Sequence, residues 1–287
     1  MTPAPLTGTP LFSQLSTTAT SSAVAAFSLR AISGTTVKAV QIKRSSDGAT
    51  QDFWADRLGN LLTAPVTGTP IGTWLGGSTG NVVTWYDQSG QGQHMAQITA
   101  SLQPVLTLAT APPSIVFNGN GTISGQYLQN TIPFTFNFGT NYQYAIRAVV
   151  NNTTGGCLVY KGVSGLTWTQ SGLKKWYVSG LNGSGGESGT GNYPNLVGYA
   201  EGYVYGQTPV TTAKTSITWS SSAFSSVTLY ENASAVTVNY SRATGKSDPG
   251  SFLSIGAGGQ VAYYKGNIYE IEIFSNTLGA SDVTIMG

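Results

Sequence analysis

The chain has 287 residues, a net charge of +2, and charged residues at only 8%, against about 25% in an average globular domain. No basic or acidic run points to nucleic acid or an anionic membrane surface, and no stretch of 18 apolar residues is present to span a bilayer. Gly (37 residues), Ser, Thr, Asn and Gln fill the space the charges leave, with 15 Tyr and 6 Trp among them. Helices display Glu, Lys, Arg and Gln on their wet face, so a chain this poor in them reads as all-β. One Cys, Cys157, excludes an intrachain disulfide, and with a single His besides it a transition-metal site lacks ligands. No cofactor is expected.

In chain order, residues 1–20 hold three of their prolines before position 11 and show no alternation, which predicts an extended N-terminal arm. Its Leu6, Leu11, Phe12 and Leu15 gain only by burial against something else, so assembly or oligomerisation through the arm is expected. Residues 21–287 show no repeat and no composition shift, and read as one sandwich domain. Ser22–Arg30, Ala-rich, predicts a short helix. From Thr35 onward, strand signals recur about every 8–12 residues with turn residues between them. Asp47-Gly48 supplies a tight hairpin turn. Val82–Tyr86 predicts a central strand, and Asp87 then ties the Gly-rich turn Asp87-Gln88-Ser89-Gly90. Later strands are expected near Ser114–Phe117, Gln143–Val150, Leu158–Lys161, Lys175–Ser179, Val197–Tyr205, Thr215–Trp219, Ser226–Glu231, Ala235–Tyr240, Phe252–Gly256 and Asn267–Phe274.

Two stretches resemble a known fold family. The pieces VKAVQIKRSSDGATQDF, VVTWYDQSGQGQHMAQ and LQPVL, between Val37 and Leu106, resemble the N-terminal part of the catalytic domain of α-L-arabinofuranosidase B. The pieces VTLYEN, FLSIGAGG and YKGNIYEIEIFSNTLGASD, ending at Asp282, resemble the C-terminal signature of laminin-G-like, concanavalin-type domains. Both imply a concanavalin-like antiparallel two-sheet jelly roll. The same module recurs in virion proteins of large DNA viruses and phages. Fold alone does not fix function, because this sandwich hosts lectins, glycosidases and inert domains alike.

Glycoside hydrolysis needs two carboxyl groups flanking one bond, and the chain has eleven acids to supply them. Glu270 and Glu272 stand two apart on one expected strand and so share a face. The resemblance implies a nucleophilic Glu on the strand matching Trp176–Asn182, where no carboxylate stands, and an acid/base Asp near Gln260, where none stands either. On that basis no catalytic residue is assigned, and the chain is expected to be non-enzymatic. His94 with Asp87 meets no G-x-S-x-G elbow. Asp47, Asp87 and Asp248 are oxygen donors of the kind that hold Ca²⁺, but each stands among turn formers, and no metal site is assigned. Trp168, Trp176, Tyr199, Tyr203 and Tyr205 are the candidates for stacking on sugar rings. The composition, the missing signal sequence and the resemblance together give the expectation of a virion surface or capsid-associated protein (spike, fibre or vertex component). Its partners would be other capsid proteins and cell-surface glycans. The alternatives are a glycosidase of the arabinofuranosidase type and a secreted carbohydrate-binding module.

Overall fold

The computed structural model describes residues 9–119, 125–136, 143–154, 156–162, 176–182, 193–198, 202–206, 213–223, 226–241, 251–257 and 263–287, with 152–154, 176–182, 193–198, 202–206, 223 and 239–241 described by backbone alone. Helices α1 (Leu11–Gln14) and α2 (Thr17–Ser21) precede β1 (Ala23–Ser28), β2 (Thr36–Arg44), β3 (Thr50–Asp56) and β4 (Leu61–Leu62). Helix α3 (Ile71–Leu75) leads to β5 (Gly80–Trp85), β6 (Met95–Ala96), β7 (Val105–Thr107), β8 (Ser114–Asn118) and β9 (Leu128–Asn130). Then come β10 (Tyr144–Thr154), β11 (Gly156–Gly162), β12 (Trp176–Asn182), β13 (Tyr193–Gly198) and β14 (Gly202–Gly206). Last are β15 (Thr215–Ala223), β16 (Ser226–Glu231), β17 (Ser234–Val236), β18 (Val238–Ser241), β19 (Phe252–Ile255), β20 (Lys265–Phe274) and α4 (Ala280–Met286).

The strands pair antiparallel in two layers. The longer runs β18-β14-β13-β12-β11-β19-β9-β6-β5-β2-β3-β4. The shorter runs β17-β16-β15-β10-β20, and β20 then pairs with β1 along one half and with β8 along the other. Strand β7 beside β8 touches β5 at Asn81–Val105, where the layers join. Alternation fills the space between them: Val40, Ile42, Phe53, Val82 and Trp85 from the long sheet meet Phe27, Ile115, Ile146, Ile217 and Ile271 from the short one. Each such side chain contributes about 1.5–3 kcal/mol when fully buried. The chain is thus an all-β antiparallel sandwich, and β5, flanked by β2, β6 and β7, is central.

Three sequence expectations change. Ser22–Arg30 is not helical: Ala23–Ser28 is a strand whose Ala25 and Phe27 face the main core, because small side chains let β1 lie flat beside β20. Val197–Tyr205 is not one strand but the hairpin β13–β14, reversing between Gly198 and Gly202. Nor is the described part of the N-terminal segment extended. Residues 11–21 form α1 and α2, and Leu11, Phe12 and Leu15 are buried. They pack on the outer face of the short sheet with Ala26, Ala145, Phe274 and, from α4, Val283 and Met286. Leu11, Phe12 and Leu15 thus find their partner within the chain, and Leu6 lies outside the described residues.

The β2–β3 hairpin turns where the sequence placed it. Gly48 adopts φ +73°, its N–H donates to the Arg44 carbonyl at 2.9 Å, and the Asp47 carboxylate accepts from Ala49 N–H at 3.1 Å.

Candidate functional site

The outer face of the short sheet carries an unusual charge cluster. Arg147 on β10 lies opposite Glu272 and two residue pairs from Glu270 on β20, so all three side chains emerge on one face. Arg147 Nη1 donates to Glu270 Oε2 and to Glu272 Oε2, both at 2.9 Å, and Nε donates to Ser216 Oγ at 3.1 Å. Nη2 donates to the Met286 carbonyl, which closes the network under α4. Arg30, just after β1, adds a second guanidinium: Nη2 donates to Glu270 Oε2 at 3.1 Å and Nε to Oε1.

Burial decides the chemistry available here. Arg147 and Glu270 are nearly inaccessible, and Glu272 is wholly so, at 0% exposure. Burial works to raise the Glu270 pKa, but Arg147 and Arg30 outweigh it and hold the carboxyl down, near 2. Glu272 goes the other way. Burial and the neighbouring Glu270 charge push it up to about 7, Arg147 offsets only part of that, and Oε1 has no partner. Two carboxyls with opposed pKa values are the pattern of an acid–base pair. A glycosidic bond cannot reach an inaccessible carboxyl, however, so the pair serves the packing of the outer face.

The cluster opens sideways into a cleft of about 570 Å³, lined by Arg30, Arg57, Lys214, Ser216, Asn232 and Glu270, with Leu58 and Ile285 on its wall. A second cleft, of about 550 Å³, lies beside β4 and α3 and is lined mostly by Leu61, Pro65, Val66, Ile71, Leu108 and Pro113.

The other acids singled out from the sequence have local employment. Asp87 Oδ1 accepts from Ser89 N–H at 2.9 Å and from Ala26 N–H at 2.8 Å, and Oδ2 accepts from Ser89 Oγ at 2.8 Å and Gln93 N–H at 3.0 Å. It therefore ties its own turn and clamps β1 to it. His94 Nδ1 accepts from the Asp87 backbone N–H, not from a serine or the carboxylate, so no triad forms. Asp47 pairs with Arg44 at 2.6 Å, and that hydrogen bond holds its pKa down at about 2. Asp52 takes Lys38 at 2.7 Å and the Tyr86 hydroxyl at 2.7 Å. Asp56 accepts from Leu58 and Asn60, and Asp282 from Ser16. Among the described residues no group of three or more His, Cys, Asp or Glu is placed to hold a metal ion. Glu231 differs from all of these. Its Oε1 is buried without a partner, and burial raises its pKa. Sequence reading passed over it because nothing in VTLYEN marks one carboxyl as unpartnered.

Of the aromatic candidates, Trp168 and Tyr199 lie outside the described residues. Trp176 stands on β12, and Tyr203 and Tyr205 on β14. The register aligns Tyr177, Val197 and Tyr203 in one cross-strand row and Trp176 with Gly198 and Gly202 in the next, so the candidates do not form one row. The segments that the resemblance equates with catalytic strands come close together: β12 and β19 flank β11. Beyond Ile255, Gly256 takes φ +87°, where an added Cβ would lie 2.4 Å from Phe117, so the strand end fits only glycine.

No family model and no curated protein sequence matches the chain. Solved structures do. An arabinofuranosidase complexed with arabinofuranosyl-α-1,2-xylobiose is similar over 92% of this chain, with a TM-score of 0.60 and 17% identity. A GH54 α-L-arabinofuranosidase soaked with a cyclic sulfate inhibitor, and a mutant GH54 enzyme soaked with 4-nitrophenyl α-L-arabinofuranoside, are also similar over 92%, with TM-scores of 0.55 and 0.53 at 17% identity. The chain spans 62–63% of the length of these proteins. The likeness establishes a shared fold. It also corrects the expectation of a non-enzymatic virion component: the three structures that share the fold over 92% of the chain are arabinofuranosidases. The sequence fact that Trp176–Asn182 holds no carboxylate stands. The inference from it to an inert domain does not.

Proposed function

We propose that the chain is a glycoside hydrolase of the α-L-arabinofuranosidase type. The observation that carries this reading is the sandwich shared over 92% of the chain with arabinofuranosidases. The position of β12 and β19 on either side of β11 supports it, since these are the strands the sequence resemblance equates with the two catalytic segments.

The acids narrow the search for the two carboxyl groups. Seven of the eight described acids are held by a cation or by hydrogen-bond donors of their own turns and helices. Glu231 is the described acid that none of these contacts holds: its Oε1 has no hydrogen-bond partner and burial raises its pKa, the direction a general acid needs. The remaining three, Glu187, Glu201 and Asp248, lie outside the described residues; in sequence they fall between β12 and β13, just before β14, and between β18 and β19.

The test is release of nitrophenolate from 4-nitrophenyl α-L-arabinofuranoside, followed by amide substitution of Glu231, Glu187, Glu201 and Asp248 one at a time. Turnover by the intact chain is expected. Each of two substitutions should lower it by roughly 10²–10⁴-fold, the scale of one acid–base group. An intact chain that releases no nitrophenolate between about pH 4 and pH 8, the range in which such carboxyls work, sinks the proposal.

A further inference from the structure

The cleft beside Glu270 holds more positive charge than its carboxylates neutralise. Arg30, Arg57, Arg147 and Lys214 line it, against Glu270 on its wall, Glu272 behind it and the carboxylate at Gly287, which leaves positive charge in excess even with all three ionised. Arg147 spends its donors on Ser216, the two carboxylates and the Met286 carbonyl. Arg30 spends Nε and Nη2 on Glu270, but Arg57 and Lys214 are not spent. Arg57 Nε is buried with no hydrogen-bond partner, and no carboxylate pairs with Arg57 among the described residues. Lys214 meets only the Tyr269 ring face, 4.8 Å from its centroid, and no carboxylate lies within ion-pair distance of it among the described residues. Asn232 uses its Oδ1 to accept from Ser216 N–H at 3.0 Å, which leaves the amide NH₂ as a donor.

A guanidinium without a partner, a lysine held over a ring and an amide donor around one concave space form a site for an oxyanion. Leu58 and Ile285 give the same cleft an apolar wall, and its volume of about 570 Å³ is ample for a small organic ligand rather than a bare ion. We infer that this cleft binds the carboxylate of an acidic sugar unit, with Arg57 and Lys214 on the anion and Leu58 and Ile285 against the ring. The anion assignment stands on the charges. The sugar assignment rests on the glycosidase reading, and an accessory site for uronate would favour acidic glycans as that enzyme's substrates.

Isothermal titration of the intact chain with sodium glucuronate, arabinose and inorganic phosphate tests this, alongside the variants Lys214→Gln and Arg57→Gln. Glucuronate should bind saturably and arabinose should not. Lys214→Gln should weaken binding about tenfold, Arg57→Gln by at least as much, and binding should fall as salt rises past about 0.1 M, where the screening length is roughly 10 Å. Lys214 is exposed, so its variant keeps the native melting temperature and reports on binding alone. Absence of saturable glucuronate binding, or binding unchanged in both variants, overturns the inference. Phosphate bound as tightly as glucuronate overturns the sugar assignment. Hydrolysis of the neutral nitrophenyl arabinofuranoside is read separately, so the failure of one reading is distinguishable from the failure of the other.

Discussion

The space between the sheets and the outer face of the short sheet are two cores built by different means. The first is assembled by alternation: residues two apart on one strand meet residues two apart on its neighbours, and each strand brings its own apolar stripe. The second is assembled by the two ends of the chain. Leu11, Phe12 and Leu15 meet Val283 and Met286 across the β1, β10 and β20 backbones, and Phe12 packs on Phe274 with ring centroids 6.3 Å apart. In the first core the sheet buries aliphatic and aromatic side chains. In the second it must also bury Arg147, Glu270 and Glu272, because these share the face that α4 covers. A β-sheet therefore has one face that alternation explains and one whose cover must come from elsewhere. The cost of that cover is a set of buried charges satisfied by one another, by Ser216 and by the Met286 carbonyl.

The largest effect should come from breaking that set. Arg147→Met leaves Glu272 with no ion-pair partner and Glu270 with Arg30 and the Ser28 hydroxyl. Removing one member of a buried ionic group costs about 3–5 kcal/mol, to be measured by urea denaturation. Replacing Arg147, Glu270 and Glu272 together by apolar residues of similar volume should recover most of the loss. A single variant as stable as the parent would mean that water reaches the network, and the contrast between the two cores would fail.

Next comes the apolar half of the outer core. Phe12→Ala should cost about 2–4 kcal/mol, the range for large buried side chains with some exposure left. Hydrogen exchange sharpens the comparison. Amides of α1, α2 and α4 should lose protection first, while β5 and β10 stay protected, because the two cores open as separate units. Simultaneous loss in both would make them one.

The third effect is pH-dependent and has opposite signs for the two glutamates. The Glu272 pKa is raised from 4.5 to about 7 on folding. The folded state therefore binds its proton more tightly, and the stability this gives is present below about pH 4.5 and lost as pH rises to about 7. Glu270, lowered to about 2, contributes stability above pH 4.5 that is lost as the pH falls towards 2. Between pH 5 and 7 the Glu272 effect dominates, and the melting temperature should fall by the equivalent of about 1–3 kcal/mol. Glu272→Gln should flatten that slope. A slope of the same size in the variant would assign it to another group.

Much of the inner core was legible in the sequence and little of the outer one, for a physical reason. Alternation in VKAVQIK or NIYEIEIF is local, and Asp47-Gly48 and Asp87 mark turns by chemistry that acts over two to six residues. The contacts that make the outer core span most of the chain, and nothing in LFSQLSTTAT names α4 as their partner. The Glu270–Glu272 pair was visible by its spacing. Arg147, which sets the properties of both, sits more than a hundred residues away. Glu231 and the free donors of Arg57 and Lys214 were invisible for the complementary reason: what marks them is a missing partner, and a sequence does not record absences.

The smallest effect tests how the two ends are latched. The Asp282 carboxylate, in the first turn of α4, accepts from Ser16 N–H at 2.7 Å and from Ser16 Oγ at 2.9 Å. Ser16 is itself the N-cap of α2, its hydroxyl accepting from Ala19 N–H at 3.2 Å. One acid thus caps the segment that covers the sheet from the N-terminal side while sitting on the helix that covers it from the other. Loss of such a cap costs about 0.5–2 kcal/mol. Asp282→Ala should fall in that range, and Asp282→Asn should lose less, because the amide oxygen still accepts from Ser16 N–H. Ser16→Ala removes both the latch and the α2 cap, so its effect alone is ambiguous. A double-mutant cycle separates them: Asp282→Ala and Ser16→Ala should couple by at least about 0.5 kcal/mol, as residues in one hydrogen-bond network do. Strict additivity would show that the ends are held by Leu11, Phe12 and Met286 alone, with the polar contact contributing nothing to the latch.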